Sequence, residues 1–329
     1  MSTISPTQTS TRRNAWRDYF SPPLVALLLA ILLFFAGGLV NPEFVNLGQA
    51  INIVRLAAFL GIIAAGQTLV IISGREGIDL SAAAVVTLSA ILVYRVTNGD
   101  NAMIPIGLFV ALLAGGIIGA INGIGIAVIK IPPLVMTLGM AGVVQGTILQ
   151  VTQGELIGNI PPLMVQLISA PLIGGIAGIV FIWIALGFLM WFLLERTVYG
   201  KQLFAIGVNR TTAQLSGVRV QLLVVMTYTL AGVLAAFAGF LLLAFSQTVF
   251  LELGQPYLFP SIAAVVVGGT VLAGGKGSYW GTMSGALVLQ LTDSLLRAAR
   301  LAEAYQLIVF GVVLLALILV YGRQRNLRQ

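Results

Sequence analysis

The segment Thr270-Val-Leu-Ala-Gly-Gly-Lys-Gly-Ser278 carries the glycines and the lysine of a phosphate-cradling loop, yet it fails that chemistry at two positions. A loop of the form G-x-x-x-x-G-K-[ST] needs its first glycine to shape the turn and its last hydroxyl to hold Mg²⁺. Thr270 stands at the first place and Gly277 at the last, so the chain cannot cradle a nucleotide in this way. The segment reads instead as a tight turn with one cation, Lys276. The sequence also holds no His and no Cys, which removes disulfides, imidazole and thiolate metal ligands, and histidine acid–base catalysis. The carboxylates form no cluster. Asp79 and Asp293 fall near the ends of apolar runs, whereas coupling to protons or sodium calls for ionisable groups at mid-membrane. No catalytic residue, metal or cofactor is expected of this chain.

The polar groups left inside the apolar runs are neutral: Asn52, Gln67, Asn122, Gln145, Gln150 and Gln290. Such amides either tie helices together or hydrogen-bond a passing polar solute. Gln67, Asn122, Gln145 and Gln290 are the candidates for a pathway. The turn Ser73-Gly-Arg-Glu-Gly-Ile-Asp-Leu-Ser81 offers Asp79 or Ser81 as a cap for a helix starting at Ala82. A part in a cytoplasmic gate is the alternative role for Gly77, Asp79 and Ser81.

The elements that must position these groups are membrane helices. Hydrophobic residues make up 59% of the chain and charged residues 8%, against about 25% charged in a soluble domain. Apolar runs long enough to cross a roughly 30 Å hydrocarbon layer recur throughout. They are expected at 22–40, 51–73, 78–96, 103–129, 132–151, 172–194, 221–245, 257–273, 278–296 and 304–321. The fold class is therefore all-α, a polytopic membrane protein of about ten transmembrane helices. Residues 1–21 form an N-terminal tail, 22–322 the transmembrane domain and 323–329 a C-terminal tail.

The basic residues orient this bundle. An even number of spans puts both tails on one side, and Arg12, Arg13, Arg17, Arg323, Arg325 and Arg328 put that side in the cytoplasm. Arg75, Lys130, Arg196, Lys201, Arg210, Arg219 and Lys276 fall in loops on the same side. Glu43, Asp100, Glu155, Glu252 and Glu303 fall opposite, with Arg95, Arg297 and Arg300. The net charge of +7 thus follows from orientation, and no nucleic-acid partner is expected.

One polar stretch interrupts the apolar pattern, ERTVYGKQLFAIGVNRTTAQLSGVRV, residues 195–220. Asn209 suits an N-cap, Thr211 to Ser216 can form two short turns, and Gly217 suits the position after a helix end. As a plain loop it would leave Ala205-Ile206-Gly207-Val208 and Leu215 facing water. A docking knob for a cytosolic partner, with Leu215 and Ala213 entering a groove, accounts for them.

In several stretches the chain resembles the permease subunits of ABC importers for ribose and related simple sugars, a family that includes autoinducer-2 permeases. The resemblance runs over nearly the whole chain. It rests on Gly77-Ile-Asp-Leu-Ser81, Asn122-Gly123, Pro132-Pro133 with Thr137-Leu-Gly139, and Gly200 with Ala205-Ile-Gly207. It continues through Asn209, Ala213 and Leu215-Ser216-Gly217, then Ile262-Ala-Ala-Val-Val-Val-Gly-Gly-Thr270, Gly274-Gly275, Gly277 and Gly281-Thr282. The resemblance implies two permease copies, identical or sister subunits, around a central path in a bacterial inner membrane. It implies two cytosolic ATPase subunits that hold ATP and Mg²⁺, and an extracytoplasmic binding protein. Gly200 to Gly217 would be the segment that couples to the ATPase. The chain departs from the family at Ala82-Ala83, at Tyr257-Leu-Phe-Pro-Ser261 and at Thr292-Asp-Ser294; the last two lie towards the outer side, where binding-protein contacts would be made. Permeases for branched-chain amino acids or nucleosides are the nearest alternative, and a secondary transporter acting alone is a further one.

Overall fold

The computed structural model describes residues 22–75 and 77–300, with isolated positions between 304 and 312. The basic tails and most of the expected span at 304–321 lie outside the described residues. Eleven helices of six residues or more are described. They are α1 (Pro22–Val40), α2 (Leu47–Ile72), α3 (Ala82–Thr97), α4 (Ile104–Ala127) and α5 (Pro133–Thr152). After them come α6 (Gly178–Trp191), α7 (Val198–Val208), α8 (Arg210–Leu215), α9 (Val220–Ser246), α10 (Leu258–Val267) and α11 (Tyr279–Ala298). Among the described residues, six helical stretches are long and apolar enough to cross a membrane: α1, α2, Asn101–Ala127, α5, Gly178–Arg196 and α9.

Three expected spans differ from the helices found. The run at 78–96 begins as helix only at Ala82, because residues 77–81 fold inward as an irregular loop. Ile78 and Leu80 pack against the core from that loop, which is why hydropathy counted them as helix. The run at 172–194 starts with a small antiparallel hairpin, β1 (Pro171–Ile173) and β2 (Ile176–Ala177), and the helix follows from Gly178. It then closes with a π-helical turn at Phe192–Arg196. The run at 257–273 is helical only over the ten residues of α10, a rise of about 15 Å. Gly269 stops it with a positive φ of 89°.

α2 lies at the centre, with every side chain from Ala57 to Ile72 buried, and α6, α9, α10 and α11 pack around it. α1 lies outside against α11, with Leu28, Leu32 and Phe35 exposed, as suits a helix with one face in lipid. The tightest pair is α4 on α9. Gly115, Gly119 and Gly123 recur every fourth residue and so share one face of α4. A Cβ on Gly115 would strike the Gly232 carbonyl, one on Gly119 the Tyr228 carbonyl, and one on Gly123 would sit 2.6 Å from the Val225 Cα. Small residues in membrane helices permit such backbone contact and the dispersion it brings.

The two ends of the bundle are distinct. At one end, the last turn of α7 at Gly207 and the loops holding Gly74 and Gly274-Gly275 touch backbone to backbone, and Gly275 N–H donates to the Ile72 carbonyl at 2.9 Å. At the other, Leu163 N–H donates to Asn101 Oδ1 at 3.0 Å, and Arg95 donates to the carbonyls of Val151 and Glu155. The loops expected on a common side therefore meet each other.

Replacing Gly119 by Leu should force α4 and α9 apart and cost about 2 kcal/mol or more, the range for overpacking a tight contact. Thermal unfolding of the solubilised protein would show this as a lowered midpoint. Gly142→Ala, on α5, meets nothing within 4 Å and should leave the midpoint unchanged or slightly raised.

Candidate functional site

The polar stretch folds into two helices at a corner. Thr197 caps α7, its hydroxyl accepting from Gly200 N–H at 3.2 Å. Asn209 ends α7 and starts α8, its Oδ1 accepting from Thr212 N–H at 3.0 Å. α8 closes with the Gly217 N–H on the Gln214 carbonyl at 3.0 Å and the Val218 N–H on the Ala213 carbonyl at 3.1 Å. Gly217 has a φ of 88°, a left-handed turn that glycine adopts without strain. The short helix and both its caps thus lie where Asn209 and Gly217 predict them, while the eleven-residue α7 is a further element of the segment.

The faces of this knob differ from the expectation in one respect. Ala213 is 4% exposed and Ile206 is buried, so neither is free to enter a partner's groove; both pack inward with Gly200 and Leu203. Val208 at 72% and Leu215 at 85% stay exposed, apolar and adjacent to polar neighbours. Ala205, Asn209, Ser216 and Gly217 are exposed as well, and Gly207 is half-buried. On the inner side Tyr199 shares a hydroxyl–hydroxyl hydrogen bond with Thr227 of α9 at 3.0 Å, and burial pushes its phenol up to about 12. Trp191 donates to Glu195 at 2.8 Å and lies under the Arg196 guanidinium, 5.1 Å from the ring centre.

The knob bears directly on the loop between α2 and α3. A Cβ at Gly207 would overlap the Ile72 carbonyl and Gly275 N, and one at Gly74 would sit 3.1 Å from Gly207. Arg210 Nη2 reaches the Ser73 carbonyl at 3.4 Å. From there the loop turns into the bundle. Gln67 Nε2 donates to the Asp79 carbonyl at 2.6 Å and Gln67 Oε1 accepts from Asp79 N–H at 3.2 Å, so one side-chain amide replaces a stretch of backbone partner. Leu80 N–H donates to Thr137 Oγ1 of α5 at 3.1 Å. The Asp79 carboxylate accepts from Ser81 N–H at 2.9 Å and from Ser81 Oγ at 2.6 Å. Asn122 of α4 donates to Ser81 Oγ at 2.9 Å.

Of the residues singled out in the sequence, Gln67, Asn122, Gly77, Asp79 and Ser81 come together here, all buried. The Ser81 side chain makes no cap hydrogen bond to α3; the Asp79 carboxylate accepts from the Ser81 N–H, one residue before the helix starts. Gln145 lies elsewhere, on the open face of α5. Gln290 on α11 is half-buried and donates to Asp293 at 3.4 Å. Sequence reasoning did not single out Arg210 or the pairing of Gln67 with Asp79. A glutamine five residues before the end of an apolar helix, followed by a Gly-rich turn, is the signal that could have found the second. A further contact, Gly254 N–H to Thr87 Oγ1 at 2.9 Å, brings the chain before α10 against the first turns of α3, at Ala83 and Val86.

Residues 49–318 match the family model described as branched-chain amino acid transport system / permease component. The autoinducer 2 import system permease protein LsrC of Escherichia coli O9:H4 (strain HS) is 33% identical over 93% of this chain and 90% of its own length. The protein of the same name from Shigella flexneri is 32% identical over 93% of this chain and 90% of its own. That from Salmonella paratyphi B is 32% identical over 92% and 88%. No solved structure matches.

Replacing Gln67 by Leu keeps the bulk but strands both backbone groups of Asp79, at a cost of about 2 kcal/mol in total. The thermal midpoint of the purified protein should fall accordingly, and an unchanged midpoint would show that the loop does not depend on this amide.

Proposed function

The chain belongs to the branched-chain amino acid transport system permease component family, and on that premise we propose that it forms the translocation pathway of an ATP-binding-cassette importer in the bacterial inner membrane. A separate cytosolic ATPase holds ATP and Mg²⁺ and supplies the work, and an extracytoplasmic binding protein delivers the solute. The solute is a simple sugar or a similar small polar molecule such as autoinducer 2, in keeping with what the relatives of this length are named for. The family's own description keeps branched-chain amino acids as the second reading.

The observation that carries this function is the knob of α7 and α8. It presents Leu215 and Val208 outward and seats its inner side on the Gly74 and Gly275 loops through Gly207. An ATPase cleft closing over α8 moves the knob, and the contact at Gly207 passes that movement to residues 73–81. Those residues are tied to α2 by Gln67, to α4 by Asn122 and to α5 by Thr137. Gly77, Asp79 and Ser81 therefore act as the moving part of a cytoplasmic gate. Gln145 and Gln290 are the amides best placed to meet the solute. Two such permeases, identical or sister subunits, enclose one path, and ten spans place both tails in the cytoplasm.

Leu215→Asp should insert normally in the membrane yet fail to co-purify with the ATPase and lose substrate-stimulated ATP hydrolysis. Normal transport by this variant would overturn the coupling role. Orientation has its own test, since the natural sequence lacks Cys. In a Thr211→Cys variant, a membrane-impermeant thiol reagent added outside intact cells should label nothing; efficient labelling would reverse the topology.

A further inference from the structure

Beside the knob, between the ends of α4 and α9 and the α4–α5 turn, opens a cavity of about 750 Å³. Four cations line it, Arg75, Lys130, Arg210 and Arg219, together with the polar side chains of Thr211 and Gln214, and no Asp or Glu is among its described lining residues. The four come from three separate segments: the α2–α3 loop, the α4–α5 turn, and the two flanks of α8. Like charges gathered this way repel one another unless an anion joins them. Arg210 bears that repulsion most. Burial, and then the charge of Arg75, push its pKa down. Its donors are also largely unspent: Nη2 makes one bond, at the 3.4 Å limit, to the Ser73 carbonyl, and Nε has no partner among the described residues. A guanidinium with five donors, beside a second Arg and a Lys, matches the geometry and charge of a tetrahedral oxyanion.

We propose that this cavity is a binding site for a phosphate-class oxyanion, which would staple the knob to the α2–α3 loop and the α4–α5 turn. The ligand's chemistry is shared by two sources, a soluble phosphate and the headgroup of an anionic phospholipid. Phosphate oxygens would lie between Arg75 and Arg210, with Lys130 and Arg219 closing the rim. Both rim residues are exposed, so replacing them leaves the packing of the bundle untouched. The site does not depend on the ATPase, and its test requires none.

The full chain is reconstituted in phosphatidylcholine nanodiscs and compared with the Lys130→Gln/Arg219→Gln double variant. In one arm inorganic phosphate replaces chloride at constant ionic strength, and the thermal midpoint is followed. In the other, phosphatidylglycerol is supplied during reconstitution and its retention is counted by native mass spectrometry after delipidation. A saturable midpoint rise that the double variant weakens about tenfold or more identifies a soluble oxyanion. Retained phosphatidylglycerol that the double variant loses, with no phosphate response, identifies a headgroup. Equal behaviour of the natural and variant proteins in both arms overturns the site. Arg75→Gln, also at an exposed position, provides a second variant should the double one be poorly made.

Discussion

The amide of Gln67, closed onto both backbone groups of Asp79, is the interaction on which the inner half of this protein depends. A loop drawn inside a membrane bundle has no water to satisfy its peptide groups, and each orphan costs about 1–3 kcal/mol. Residues 77–81 escape that cost only because partners converge on them from α2, α4 and α5. The same bonds that make the loop tolerable also register three helices against one another. A polar group here serves both purposes, and removing any one partner leaves another stranded.

Glycine does for close approach what Gln67 does for hydrogen bonding. Along α4 it lets a helix lie on α9 backbone to backbone, and at Gly74, Gly207 and Gly274-Gly275 it lets two loops and the end of α7 share one point. The second contact sets peptide groups of the knob directly against those of Ile72 and Gly74. The Arg210 side chain reaches the same loop at the Ser73 carbonyl. The basic cavity lies beside this junction, where occupancy by an anion would change how freely the knob moves.

Much of this was legible in the sequence, for physical reasons that differ from element to element. Long helices such as α2, α5 and α9 announce themselves because apolar length alone is sufficient to span hydrocarbon. The capped helix at Asn209–Gly217 was readable because caps are local chemistry, decided within a few residues. The short α10 and the late start of α3 were not, since hydropathy registers burial and is blind to whether buried backbone is helical. Ile78 and Leu80 are apolar because they face the core, not because they belong to a helix. Ala213 looked available for docking for the converse reason: its neighbours are polar, and only the tertiary contact reveals that it points inward. Long-range partnerships such as Asn122 with Ser81 leave no local trace at all.

The glycine seam between α4 and α9 has a mechanical meaning. Interlocked side chains resist axial sliding, because each knob must leave its hole before the next can be entered. A seam of bare backbone has no such knobs, and its hold comes from how closely the two main chains approach. α9 extends for 27 residues, about 40 Å, from the flank of α8 to the opposite end of the bundle. From Val225 to Ala236 it has the main chain of α4 laid directly against it, so the two helices form one double-walled strut through the bundle.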